Sequence, residues 1–365
     1  MHIIMMSDGT AQPGASDELS NVPAQAQIEA RVEAFAQQGR ALEAVDLAHA
    51  AQRQMNSGAL EEKLVQLRLA AARKLNTRPP VEWPLAVENL FPEDEALPTM
   101  AADELDARLV HSAMQHHGVL RVKGLVTAEK AEEIAELMDQ SFAAYDQWRE
   151  GEPWRKFSPF LAPFDASDPN PEIGMLRALA RQGGAILTAD SPRVLSTLLL
   201  AYETAGLLHV IKDYFGERPV LSARKSLMRR VPPDLPIAEW HQDGAFLKRG
   251  QRLRTLNVWM SLSHCGGKTL APGMEIVPGR LDHIVETGTG GAILDWTVGH
   301  EVVEKIMGGK PVLKPEFEPG DVLLFDEYNL HRTATGEGLK YPRYAMESWF
   351  FSPSYYPPHH MPILV

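Results

Sequence analysis

Leu256-Asn257-Val258-Trp259-Met260-Ser261-Leu262 is the stretch on which the fold turns. Successive side chains of a strand point to opposite faces, so Asn257, Trp259 and Ser261 share one face and Val258, Met260 and Leu262 the other. The second face is wholly apolar and suits packing. The first carries an amide, an indole and a hydroxyl, and suits the wall of a pocket. The same period-two pattern occurs in 221–231, 274–277, 321–325 and 343–351. Pro272-Gly273, Pro278-Gly279 and Pro319-Gly320 punctuate it as turns. Short strands separated by such turns predict an antiparallel sandwich or jelly roll. Helical patterns come first and strands later, so the predicted class is α+β, with helices covering one face of the sheet.

Working outward toward the N-terminus, 191–215 reads as a helical region capped by Ser191 with Pro192 at its first position. Residues 150–172 are rich in proline and aromatics and read as an irregular lid or substrate loop. Thr127 caps a helix running to about Tyr145, 118–125 alternates as a strand, and 103–117 reads as a helix. Pro79, Pro80, Pro84, Pro92 and Pro98 mark 77–99 as an extended linker, which places a boundary before a domain of 100–365. Before it, Ile28, Val32 and Phe35, then Leu42, Val45 and Ala48, then Leu60, Leu64, Leu67 and Ala71 recur at helical spacing. Residues 25–76 are thus a helical annex of three short helices. Its stripe Ala41, Ala44, Ala48, Ala51 is weakly like a tetratricopeptide hairpin, but a stable array needs about three repeats. A packing annex or homodimer arm is the plainer reading, and a partner-binding module the other. Residues 1–24 read as a disordered tail.

The chain has 365 residues and a net charge of −12, which disfavours nucleic acid as a partner. Its single cysteine, Cys265, rules out an intramolecular disulfide and CxxC motifs. No run approaches the ~18 apolar residues of a membrane span, and a cytoplasmic enzyme acting on a small molecule is expected.

The chemistry concentrates in Trp240-His241-Gln242-Asp243-Gly244. On a strand, His241 and Asp243 share a face. Two histidines and one carboxylate are the ligand set of non-haem Fe(II) oxygenases. The third ligand must come from another strand, and His331 and His283 compete for it. His331 is favoured because Arg343 opens the strand that follows. A guanidinium offers a planar fork suited to a carboxylate, such as the distal carboxylate of a 2-oxo acid. Blander readings stand beside these: Arg343 as a surface ion-pair residue, Trp259 as ordinary core, Cys265 as a small residue beside a turn. The basic run Arg224-Lys225 with Arg229-Arg230 reads equally as an anion site and as a charged edge strand. His116-His117 and His359-His360 read as solvated surface.

With Leu256–Leu262 above, Gly273-Met274-Glu275-Ile276-Val277-Pro278-Gly279 and Gly320-Asp321-Val322-Leu323-Leu324-Phe325, the order His241, Asp243, His331, Arg343 resembles the phytanoyl-CoA dioxygenase family of Fe(II)/2-oxoglutarate oxygenases. The resemblance spans about 95–352 and leaves the annex outside. It implies a double-stranded β-helix, a cupin-like jelly roll, with iron at its open end. It implies His241, Asp243 and His331 as Fe(II) ligands, Arg343 on the distal carboxylate of 2-oxoglutarate, Thr333 at the hydroxyl position two after the distal histidine, and Trp259 against the cosubstrate. It implies consumption of O2 and release of succinate and CO2, with hydroxylation of an unactivated C–H. Halogenases resembling the family lack the carboxylate, so Asp243 favours oxygen transfer. Desaturation or ring formation at the same site, and a non-catalytic jelly roll with a partner-binding annex, remain as alternatives. The chain departs from the family at Pro278-Gly279-Arg280-Leu281-Asp282-His283, where Pro-Gly-Ser-His is usual, and in a slightly long turn before Arg343.

Overall fold

The structure, a computed structural model, describes residues 24–55, 57–80, 82–235, 238–246 and 253–365. The expected tail lies almost wholly outside the described residues. The helices are α1 (Ala24–Gln37), α2 (Ala41–Gln52), α3 (Gly58–Ala72), α4 (Ala107–His116), α5 (Ala128–Arg149), α6 (Pro171–Gln182), α7 (Pro192–Thr204), α8 (Leu207–Phe215) and α9 (His300–Met307). The strands are β1 (Thr99–Ala101), β2 (Val119–Lys123), β3 (Ala185–Leu187), β4 (Val220–Ser222), β5 (Leu227–Val231), β6 (His241–Gln242), β7 (Thr255–Ser261), β8 (Cys265–Gly266), β9 (Met274–Ile276), β10 (Glu316–Phe317), β11 (Val322–Phe325), β12 (Leu330–Thr333), β13 (Arg343–Phe351) and β14 (Pro362–Leu364).

Side-chain caps set several helix starts. Ser57 accepts from Leu60 N–H, Asp106 from Leu109 N–H, Thr127 from Lys130 N–H and Ser191 from Val194 N–H. The Asp106 cap explains why α4 starts later than residue 103. The helical region 191–215 is two helices, because Gly206 sits at φ 77 between α7 and α8. No single described helix is long and apolar enough to cross a membrane; α7 and α8 form the one bent pair that passes on composition, and both are largely buried.

A large sheet runs β1-β2-β11-β7-β13-β4-β14, with β5 beside the first half of β13 and β3 beyond it. A three-stranded sheet runs β6-β12-β9, and β8 pairs with β10. The expected strand 221–231 is interrupted: Ser226 N–H bonds Ser222 O and closes a turn between β4 and β5, which meet β13 at opposite ends. On β7, β11 and β13, Val258, Met260, Leu324, Met346 and Phe350 pack in one core with α4, α5, α7 and α8. The opposite side chains, Trp259, Leu323, Phe325 and Ala345, pack with Met274 and Ile276 of the small sheet. The two faces expected of 256–262 are therefore both present, one under helices and one facing the small sheet. Helices α1–α3 share a third cluster with Val220, Trp349, Phe351 and Leu364, and Arg68 of α3 donates to the Leu364 carbonyl at 2.7 Å.

Two sequence expectations about histidine pairs are corrected. His117 and His360 are buried, His117 edge-on to Phe91 and His360 edge-on to Phe351; only His116 and His359 are exposed. An imidazole with a ring partner packs as an aromatic, so adjacency of two histidines says little about exposure.

Candidate active site

His241 and His331 are direct cross-strand partners on β6 and β12, and their ring centroids are 4.5 Å apart. Strand β6 ends at Gln242, and Asp243 opens a single 3-10 turn, so the same-face reading of His-x-Asp holds only across a strand end. The turn still brings Asp243 to the histidines: its Oδ1 lies 3.9 Å from His241 Nε2. One ligand atom from each of His241, Asp243 and His331 falls within 4.8 Å of the others. Gln242, pointing the other way, donates to the carbonyls of His283 and Tyr328 and accepts from Val285 N–H. Gly244 lets the chain pass close beneath: a Cβ there would lie 2.6 Å from Ile284 Cδ1 and 2.9 Å from the Glu327 carbonyl.

Each histidine has its Nδ1 against a backbone carbonyl, His241 with Glu239 O at 3.0 Å and His331 with Asn329 O at 3.1 Å. That places the proton on Nδ1 and leaves the Nε2 lone pair free for a metal. Burial first, then for His241 the neighbouring His331, lowers their pKa values to about 4, so both rings are neutral at pH 7. Burial raises Asp243 to about 6. Asn257 Nδ2 donates to Asp243 Oδ2, orienting the carboxylate from β7. Three deprotonated donors with their outer atoms tied down form an open N,N,O face of the kind that holds Fe(II).

Arg343, the first residue of β13, is 0% exposed. It is not a surface ion-pair residue. It donates to the Gly273 carbonyl at 2.7 Å and the Thr333 hydroxyl at 3.3 Å, and its Nε is buried without a partner. Among the described residues no carboxylate lies within 4 Å of it, and burial lowers its pKa only to about 10. It stays a cation without an ion pair, Glu347 acting on it only from beyond 4 Å. A buried charge of this kind is costly unless an anion arrives. Trp259 lies beneath it, the guanidinium 5.5 Å from the ring centroid.

His241, Asp243, Asn257, Trp259, Phe325, His331 and Thr333 line one cavity of about 340 Å³. Arg343 is not itself in that lining but contacts Thr333, Met274 and Trp259, which are. His283 stays out, exposed and bonded to Asp282. The sequence reading left the basic run undecided, and the structure divides it. Lys225 and Arg229 line the cavity, whereas Arg224 pairs with Glu172 and Arg230 with Asp139 outside it. Phe246, Trp296, Glu347 and Trp349 also line the cavity and were not read from the sequence. The signal for Glu347 and Trp349 was present, since both fall on Arg343's face of the strand at period two. A second group of metal-type side chains, His264, Glu316 and Glu318, is exposed. A larger cavity of about 650 Å³, between α3, α5 and α7, holds none of the predicted residues.

No family model matches the chain, and no curated protein matches it. Among solved structures, EctD from S. alaskensis with 2-oxoglutarate and 5-hydroxyectoine is 17% identical, covers 77% of this chain and 84% of its own, and superposes with a TM-score of 0.47. The non-heme alpha ketoglutarate dependent carbocyclase SnoK is 14% identical, covers 70% of this chain and 87% of its own, and has a TM-score of 0.45. Likenesses at this level do not bear on what this chain binds.

Proposed function

We propose that the chain is an Fe(II)- and 2-oxoglutarate-dependent oxygenase of the phytanoyl-CoA dioxygenase-like kind, built on a jelly roll, that hydroxylates an unactivated C–H of a small organic molecule. The observation that carries this reading is a pairing: a metal-ready triad of two neutral imidazoles and one carboxylate beside a fully buried arginine with no ion-pair partner. A metal alone explains the first and not the second. A dicarboxylate that chelates the metal at one end and meets Arg343 at the other explains both.

In this reading His241, Asp243 and His331 would hold the iron, two imidazoles and a carboxylate being the donor set suited to Fe(II). Bound there, iron with 2-oxoglutarate would supply O2 activation coupled to oxidative decarboxylation to succinate and CO2. Arg343 and Thr333 fix the distal carboxylate, and Trp259 forms the wall beside it. Asn257 keeps Asp243 from rotating. The helix-covered face of the sheet closes the site from behind, and Phe246 and Trp296 exclude water at its mouth. Helices α1–α3 act as a packing annex.

The test is succinate release. The protein is loaded anaerobically with Fe(II) and 2-oxoglutarate and then exposed to O2. Succinate is expected from the native chain and not from His241→Ala. Failure of both iron and 2-oxoglutarate to bind would sink the proposal. A product heavier by one oxygen atom would identify hydroxylation, and one lacking two hydrogens would identify desaturation or ring closure instead.

A further inference from the structure

The turn that interrupts the expected strand 221–231 aims one cation into the cavity. Lys225 is half-buried in that turn, its ammonium 3.7 Å from the centroid of Phe246 and 5.5 Å from that of Trp349. Among the described residues none of the cavity's carboxylates, Glu239, Asp243 or Glu347, is within 4 Å of it, and no hydrogen bond reaches it. The neighbouring cation is already matched, because Arg229 pairs with Glu347. Lys225 therefore keeps three N–H donors facing aromatic rings, which can attract the charge but cannot accept three hydrogen bonds. Burial lowers its pKa to about 8, with Asp243 the largest opposing influence, so the ammonium is still mostly charged at pH 7 and lies within the field of the metal triad.

Beside Lys225 the wall is aromatic, with Phe246, Trp296 and Trp349 set among polar residues that include Arg229, Asn257 and Ser348. Phe246 and Trp296 sit 4.7 Å apart at 43°, and both face the ring of His241 at about 6 Å. At about 340 Å³ the cavity is at the small end of the range for ligand sites, which are about 300–1,000 Å³. Resting on the oxygenase reading above, we propose that Lys225 anchors an acidic group of the substrate. The molecule oxidised is then a small carboxylic acid or phosphate monoester whose flat apolar body lies against Phe246, Trp296 and Trp349. Because the anchor and the triad line one cavity of this size, the oxidised carbon is only a few bonds from the acidic group.

The experiment uses the full chain loaded with Mn(II) and saturating 2-oxoglutarate, so that Arg343 is occupied and cannot capture the probes. Isothermal titration compares matched pairs: phenylacetate with phenylacetamide, cinnamate with cinnamamide, phenyl phosphate with phenol. At least one acid is expected to bind about tenfold or more tightly than its neutral partner, the scale of one charge-assisted bond. Lys225→Gln is expected to bring that pair to parity, and Lys225→Arg to keep the preference. Whether carboxylate or phosphate wins identifies the acidic group. The proposal is overturned if no acid outbinds its partner in the native chain, a comparison that needs no variant to fold, or if the preference survives Lys225→Gln. A native chain that takes up no 2-oxoglutarate overturns the oxygenase reading instead. The same titrations on the metal-free chain then decide Lys225 separately.

Discussion

Exchange of Arg343 for methionine separates a cosubstrate clamp from a structural arginine. Both roles predict a buried guanidinium; they differ in where the energy goes. If Arg343 were structural, the folded chain would already contain its counter-ion, and removal would cost the 3–5 kcal/mol typical of breaking a buried pair. Here its acceptors are all neutral, the Gly273 carbonyl, the Thr333 hydroxyl and the Met274 sulfur, and its Nε is unpaired. Methionine fills much of the same volume, removes a buried cation that has no ion pair, and takes one of its two donors from the Gly273 carbonyl, which keeps Ala334 N–H. The last two effects oppose each other at about 1–3 kcal/mol each, so the ligand-free variant should unfold close to the native urea midpoint. The loss falls on 2-oxoglutarate. Truncating one side of a buried, hydrogen-bonded charge pair costs about 2–5 kcal/mol, so its Kd should rise at least about thirtyfold. Calorimetry with Mn(II) in place of iron measures this directly. Thermal unfolding gives an independent reading, since ligand at about a hundred times Kd stabilises by about 2.7 kcal/mol in the native chain. Methionine should abolish that shift. Arg343→Lys keeps the charge but loses the planar fork, and should fall in between. Native affinity in Arg343→Met would refute the assignment, as would a large loss of stability in the ligand-free variant.

Three further outcomes follow from the same geometry. Asn257→Ala frees the Asp243 carboxylate from its β7 tether and should weaken Mn(II) binding about 10–100-fold, read by metal titration; unchanged affinity would remove Asn257 from the site. Metal affinity should also fall with pH: a carboxyl raised to about 6 is mostly ionised at pH 7 and mostly protonated at pH 5, so apparent affinity should drop about tenfold over that window, while histidines near 4 remain neutral throughout. A flat profile would mean that Asp243 is not a ligand. For Trp259, 1% exposed and 4.8 Å from the ring of Phe317, Ala should cost about 3–5 kcal/mol in urea unfolding. Phe should cost under about 1.5, because the indole N–H has no partner to lose. Equal losses would show that the N–H is used after all.

What the sequence made legible is what local periodicity encodes. The strand 343–351 and the two faces of 256–262 hold because a long strand buried on both sides repeats its own pattern several times over. The elements that escaped are those whose reason for existing lies elsewhere in the chain. Strand β8 is two residues long and pairs only with β10, about fifty residues on; nothing within Cys265-Gly266 says so. Helix α6 announces itself only by the cap Asn170 and Pro171, and its Met175 and Leu179 are exposed, so its pattern does not point inward. The site obeys the same division. That His241 and Asp243 lie together was readable from their spacing. That His331 rather than His283 completes them depends on one cross-strand register, His331 opposite His241, which no spacing rule contains. Lys225 is the sharpest case. Strand alternation grouped it with Arg224, Arg229 and Arg230 as one basic run, and a single backbone bond from Ser226 to Ser222 breaks the alternation and redirects it alone toward the aromatic wall. Specificity here rests on a turn that departs from the regular pattern, so a reading built on regularity reaches the chemistry of the site before it reaches the molecule the site selects.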